Sequence, residues 1–427
     1  MHMGPSRPIR VLAVDDSAVM RGVLRALFQI QGLKKAGNLP AMELCGMAED
    51  GVECLTAVVQ LRPDVVVLDL EMPRMNGLDV LERLRIEEPR LPVIMCSSYT
   101  ERGARSTLDA LALGAADYVM KPGDQSDPAS SMERLASELL PKIAVLAGAG
   151  FSLLSEVRDK TTEPEIAESV RPHVEGVNVP YMKGGSGDAP IDIVVIGIST
   201  GGPSALETVL PRLAADFAVP IMIVQHMPKL FTGELAERLN RRCALRVREA
   251  CNGDEVRTGT IWLAPGDAHM EVAEAPQGSA SAGNGRVPLA RVQLHQQRSP
   301  NHCMPSVDYL FSSAARLYGA GTLALVMTGM GSDGLTGARR VHAAGGRVLT
   351  QDERTSAVWG MPGRVFQAGL SREPVPLESL ADELTTRVNA GRNGRDPHEA
   401  PTNCSVEEYW KHRTATSPLA EVIHGLL

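Results

Sequence analysis

A chain of 427 residues exceeds what one hydrophobic core usually serves and predicts two domains joined by a linker. An apolar fraction of 44% and a charged fraction of 22% are ordinary globular values, while aromatics at 4% beside Gly 40 and Pro 29 favour aliphatic α/β packing over an aromatic-rich β-sandwich. The net charge of -8 supplies no basic surface for nucleic acid, and no apolar stretch reaches the roughly 18 residues that span a bilayer, so neither a DNA-binding output nor membrane insertion is expected.

From 9 to 147 short apolar runs alternate with longer helix-period stretches, the α/β signature. Ile9 to Asp15, Glu43 to Ala48, Asp64 to Asp69, Pro92 to Ser97 and Ala116 to Met120 read as five strands of a doubly wound, flavodoxin-like sheet buried between helix layers. From 148 to 189 the pattern gives way to Gly, Ser, Pro, Glu and Asp, a linker composition. A second α/β region, 190 to 388, follows with apolar runs at 192–200, 219–227, 259–267, 322–334 and 346–352 and predicts a parallel sheet. Residues 275–290 read as an inserted surface loop, and 389–427 as a polar, mobile tail.

In the first region carboxylates fall where strands end: Asp15 and Asp16 after the first, Asp69 at the third. In a doubly wound sheet those ends share a crevice, and clustered oxygen ligands there favour Mg²⁺ over a softer metal. Lys121, in "DYVMKP", reaches the crevice from the fifth strand. An Asp pair before a helix also serves as an N-cap, so the order of all four residues carries the reading rather than any one. These residues resemble those of response-regulator receiver domains over 9 to 147. The resemblance implies that Asp69 accepts a phosphoryl group from a histidine kinase. It also implies Asp16 as direct Mg²⁺ ligand, Asp15 as ligand through water, and the Glu71 carbonyl as a further ligand. Ser97 would engage the phosphoryl group, and Tyr118 would report the state through its rotamer.

In the second region Ser199 follows an apolar strand and precedes Thr-Gly-Gly-Pro, a turn that can lift a hydroxyl above the sheet and bring backbone N–H groups to an oxyanion. His226 ends the next strong strand, in "IMIVQHMP", and Asp333 follows another, in "LVMTGMGSDG". A serine nucleophile, an imidazole base and an orienting carboxylate need no metal. His269 and His302 are rivals for the base, and "STGG" alone would equally suit a phosphate-binding turn. "IGISTGGP", "QHMP", "IWLAPGDAHM", "PSVDYLF", "LVMTGMGSDG" and "GMPG" resemble, in order, the chemotaxis protein-glutamate methylesterase (CheB) family, with its receiver-linker-catalytic layout. The resemblance implies a Ser199–His226–Asp333 triad, an oxyanion site of the Thr200 and Met330 N–H groups, and both methylesterase and glutamine deamidase activity. Its substrates would be methyl-accepting chemotaxis receptors, with turnover raised by phosphorylation. Ile198 and Ser332 depart from the commoner residues beside the triad without supplying a catalytic group.

The seven cysteines are scattered without a Cys-x-x-Cys pair, and no signal-peptide pattern precedes the first strand. A reducing, cytoplasmic setting is therefore expected, and the chain is read as a monomer. A phosphorylation-gated binding module with an idle esterase domain is the alternative, separated by methanol release.

Overall fold

The computed structural model describes residues 7–33, 39–122, 128–148, 189–275, 290–299 and 302–390. The stretches 148–189, 275–290 and 389–427 fall, but for their end residues, outside these. The chain divides into two compact units.

The first unit is built on five parallel strands, β1 (Ile9–Val14), β2 (Met42–Ala48), β3 (Val65–Asp69), β4 (Val93–Ser97) and β5 (Asp117–Met120), in the order β2-β1-β3-β4-β5. The sequence alternates them with helices α1 (Ala18–Leu33), α2 (Gly51–Leu61), α3 (Gly77–Glu87), α4 (Glu101–Ala112) and α5 (Pro128–Leu146), all but α4 grouped with the first unit. Every residue of β3 and β4 is buried, which is why these runs are continuously apolar instead of alternating. Helix starts are specified locally: the Asp50 side chain accepts the Val52 and Glu53 N–H groups, and Asn76 accepts that of Asp79. The chain passes from β1 outward to β2 and back across β1 to β3. The carboxyl ends of β1 and β3 therefore flank the switch point where a crevice opens.

The second unit has six parallel strands, β6 (Ile193–Ile198), β7 (Ile221–Gln225), β8 (Arg246–Glu249), β9 (Thr260–Leu263), β12 (Thr322–Val326) and β13 (Arg347–Thr350), in the order β13-β12-β6-β7-β9-β8. An antiparallel hairpin, β10 (His269–Glu274) with β11 (Ala290–His295), forms a separate two-stranded sheet. The helices are α6 (Gly202–Val209), α7 (Lys229–Asn240), α8 (Val307–Tyr318), α9 (Leu335–Ala343), α10 (Met361–Gln367) and α11 (Leu380–Ala390). All six residues of β6 are buried. Its inner face packs with Leu310, Phe311 and Ala314 of α8 in one core, each large aliphatic side chain contributing about 1.5–3 kcal/mol by leaving water. A Cβ at Gly197 would come within 2.3 Å of the Val307 side chain, so the bare glycine lets α8 close on β6. Two features go beyond the strands expected from sequence. The edge strand β8 reads Arg-Val-Arg-Glu and lacks an apolar run, and the hairpin brackets the segment expected as a loop insertion. Here too the topology reverses, between β6 and β12, and Ser199, His226 and the 328–333 turn all follow strands at that end.

Candidate active site and phospho-acceptor pocket

In the first unit Asp15, Asp16 and Asp69 place carboxylate oxygens within 4.8 Å of one another. Asp15 and Asp69 are buried and Asp16 is exposed. Lys121 spans the pair, its Nζ 2.9 Å from Asp15 Oδ2 and 2.8 Å from Asp69 Oδ2, and its own N–H donates to the Ser97 carbonyl at 2.8 Å. Burial lifts the Asp69 carboxyl to about 6. Lys121 and the Glu71 N–H pull it down, and the Asp15 charge adds to the rise. Burial would lower the Lys121 ammonium, but Asp69 and Asp15 together push it up to about 12. A cluster of like charges, two of them buried, gains from a hard divalent ion, and an all-oxygen donor set fits Mg²⁺. Ser97 ends β4 fully buried, and its hydroxyl donates to the Ser98 carbonyl at 3.2 Å. Tyr118 is turned inward and buried, with Lys142 Nζ 5.2 Å from its ring centre. Glu71 meets Asp69 through its backbone N–H.

In the second unit the imidazole and carboxylate expected to pair do so. His226 Nε2 lies 2.8 Å from Asp333 Oδ2, with the ring slightly exposed and the carboxylate buried. Asp333 is gripped by the start of α8. The Ser306 hydroxyl and Asp308 N–H donate to Oδ1 at 2.9 and 3.2 Å, the Val307 N–H donates to Oδ2 at 2.8 Å, and Gly334 adds its N–H at 3.0 Å. Burial by itself would raise this carboxyl. The His226 contact, with the Val307 and Ser306 donors, outweighs it and holds the group down to about 2, in the direction a helix N-terminus also favours. Because Nε2 faces the carboxylate, Nδ1 is the nitrogen left to act as base.

Ser199 stands one step beyond the Ile198–Gln225 register pair that joins β6 to β7, and the His226 N–H donates to the Ile198 carbonyl at 3.1 Å. Serine and histidine thus leave neighbouring strand ends together. Among the described residues no hydrogen bond joins the Ser199 hydroxyl to the ring, so the hydroxyl–imidazole link is the part of the expected chain left open. The surroundings of the serine are tightly set. Gln225 Nε2 donates to the Ser199 carbonyl at 3.0 Å and the Thr328 carbonyl accepts the Ser199 N–H at 2.9 Å. Gly201 has φ 77, a region open to glycine, and a Cβ at Gly329 would come within 2.8 Å of that of Ser199. Thr200 and Met330 flank this pinch, Thr200 buried in the turn after β6 with its carbonyl accepting the Thr328 hydroxyl at 2.9 Å.

The rival histidines separate cleanly. His302 is exposed, whereas His269 is fully buried and accepts the Ser306 N–H at 3.0 Å through Nδ1. Reading the sequence did not identify Ser306 or Gln225 as part of the site, although Ser306 carries the N-cap signature directly before α8. Nor did it single out Cys303, whose sulfur lies within 4.8 Å of donor atoms of both His226 and Asp333.

The models of two families match the chain: the response regulator receiver domain over 11–132 and CheB methylesterase over 194–384. A protein-glutamate methylesterase/protein-glutamine glutaminase of Trichodesmium erythraeum is 39% identical over 380 residues, covering 89% of this chain and 99% of the relative. One from a Nocardioides species is 40% identical over 387 residues, covering 89% and 95%. The crystal structure of the Thermotoga maritima CheB methylesterase catalytic domain is 38% identical, covers 46% of this chain and 98% of that one, and superposes with a TM-score of 0.42. With near-complete coverage of relatives at this identity, the chain belongs to the CheB family of protein-glutamate methylesterase/protein-glutamine glutaminases that carry a response-regulator receiver domain.

Proposed function

We propose that Ser199 is the nucleophile of a phosphorylation-activated esterase that removes methyl groups from glutamates of methyl-accepting chemotaxis receptors. The observation that carries the reading is the 2.8 Å His226–Asp333 contact, with Ser199 leaving the adjacent strand end. With a rotation of the serine side chain that brings Oγ to Nδ1, that nitrogen takes the hydroxyl proton as Oγ attacks the ester carbonyl. Asp333 stabilises the imidazolium, and the Thr200 and Met330 N–H groups receive the oxyanion. Collapse returns the proton to the departing methoxide, releasing methanol. Water then repeats the cycle on the acyl-enzyme to free glutamate. A glutamine side chain enters the same acyl-enzyme with ammonia as leaving group.

In the receiver, Asp69 attacks the phosphorus of a histidine kinase's phosphohistidine, and the N–P bond breaks as the O–P bond forms. Asp16, Asp69 and the Glu71 carbonyl would hold Mg²⁺ directly and Asp15 through water. When bound, the ion neutralises phosphoryl charge. Lys121 pairs with the phosphoryl oxygens, Ser97 engages the new group, and Tyr118 responds through its rotamer. Domain bounds of 9–147, 148–189, 190–388 and 389–427, a monomeric state and a cytoplasmic location complete the reading; no helix among the described residues is long and apolar enough to cross a membrane. The test is methanol release from methylated receptor membranes with and without a small phosphodonor. Release that needs Ser199 and rises with the phosphodonor supports the reading, and release indifferent to Ser199→Ala overturns it.

A further inference from the structure

We propose that His269 is a positioning residue for the carboxylate of the triad: its Nδ1 accepts the Ser306 N–H and so sets the turn that presents three donors to Asp333. The inference rests on the reading of Asp333 as the triad's acid.

The connection is short and continuous. His269 Nδ1 lies 3.0 Å from the Ser306 nitrogen, and the hydroxyl of that same residue donates to Asp333 Oδ1 at 2.9 Å. The next two N–H groups, of Val307 and Asp308, donate to the two carboxylate oxygens at 2.8 and 3.2 Å. A shift of the Ser306 peptide therefore moves every donor that α8 offers to Asp333, and with them the oxygen that orients His226. His269 does this only as a neutral ring with its proton on Nε2, because a proton on Nδ1 would face the Ser306 N–H donor to donor. The surroundings favour the neutral ring, and the Ser306 N–H sets its tautomer. Burial first, and then the neighbouring His295, hold the ring below the ordinary histidine range. The ring is also fixed mechanically. His295 is its partner in the β10–β11 register, and the His269 centroid lies 5.2 Å from that of His295 and 4.6 Å from that of Tyr309. Rings from the neighbouring strand and from a helix thus clamp one acceptor. If His269 served packing alone, an apolar side chain would fill the site without the cost of burying a polar ring.

The test exploits the geometry of side-chain amides. In His269→Asn the amide oxygen takes the place of Nδ1, whereas in His269→Gln the amide lies at the position of Nε2, out of reach of Ser306. Both lose the ring, so both should show a similar fall in Tm. Turnover per folded molecule, with the folded fraction read by circular dichroism, should stay close to wild type in His269→Asn. In His269→Gln kcat should fall about 10- to 100-fold with KM unchanged, the scale expected for misplaced catalytic groups. Tyr309→Leu loosens the clamp but keeps the acceptor, and should lower Tm without lowering kcat. Equal kcat for the Asn and Gln variants, or a kcat loss in Tyr309→Leu as large as in His269→Gln, overturns the inference. Asp333→Asn separates the two levels: if it keeps turnover the triad reading itself fails, and if it loses turnover while the His269 pair behave alike, only the positioning role fails.

Discussion

Replacing Asp333 by Asn tests the site most severely, because among the described residues its carboxylate accepts hydrogen bonds from Ser306, Asp308 and Gly334 on Oδ1 and from Val307 and His226 on Oδ2. An amide accepts on one atom only. With its oxygen at the three-donor position, its NH₂ meets the Val307 N–H head-on and demands that His226 Nε2 become an acceptor. The proton then moves to Nδ1, the nitrogen that should take the proton of Ser199. Turnover should therefore fall about 10⁴-fold, the scale of a triad trapped in the wrong tautomer. Leaving one buried donor unmatched should cost about 1–3 kcal/mol of stability. The variant should also lose a pH dependence. The Asp333 carboxyl is held at about 2, below its ordinary 3.8, so its ionisation stabilises the fold fully above pH 4, and that contribution drains away as pH falls towards 2. From the difference of the two values it is worth about 2 kcal/mol. Methanol-release kinetics measure the first effect and urea unfolding between pH 7 and 2 the others. A kcat within tenfold of wild type, or an unchanged acid limb of stability, would refute the reasoning.

Ser199→Ala should leave urea unfolding and receiver phosphorylation unchanged while lowering kcat about 10³-fold or more, checked by the same methanol assay. Asp69→Asn should abolish incorporation of labelled phosphate and its stimulation of turnover, with basal esterase activity kept. Chelating Mg²⁺ with EDTA should likewise stop phosphorylation but spare basal turnover, since the proposed Ser199, His226 and Asp333 chemistry needs no metal; a loss of basal activity on chelation would contradict this. Gly201→Ala should lower stability by about 1–3 kcal/mol in urea unfolding, because φ is 77 there and the new Cβ would lie within 2.5 Å of that of Ala357.

The receiver strands and the carboxylates at their ends were legible because buried parallel strands such as β3 and β4 are short continuous apolar runs, and a polar residue at such a strand's end interrupts one. The same contrast marked Ser199, His226 and Asp333. It failed for β8, whose edge position lets Arg246 and Arg248 stand in water, and for the hairpin β10–β11, whose partners are joined through a long intervening segment. What the amino-acid order determined by itself was therefore local: which segments bury both faces, and which polar residues end them. Which imidazole nitrogen meets Asp333, and the conversion of His269 from a rival base into an acceptor for Ser306, were decided only by tertiary structure. Those relations depend on distances between atoms 37 to 107 positions apart in the chain, set by how α8 docks on the sheet, and no local periodicity encodes them.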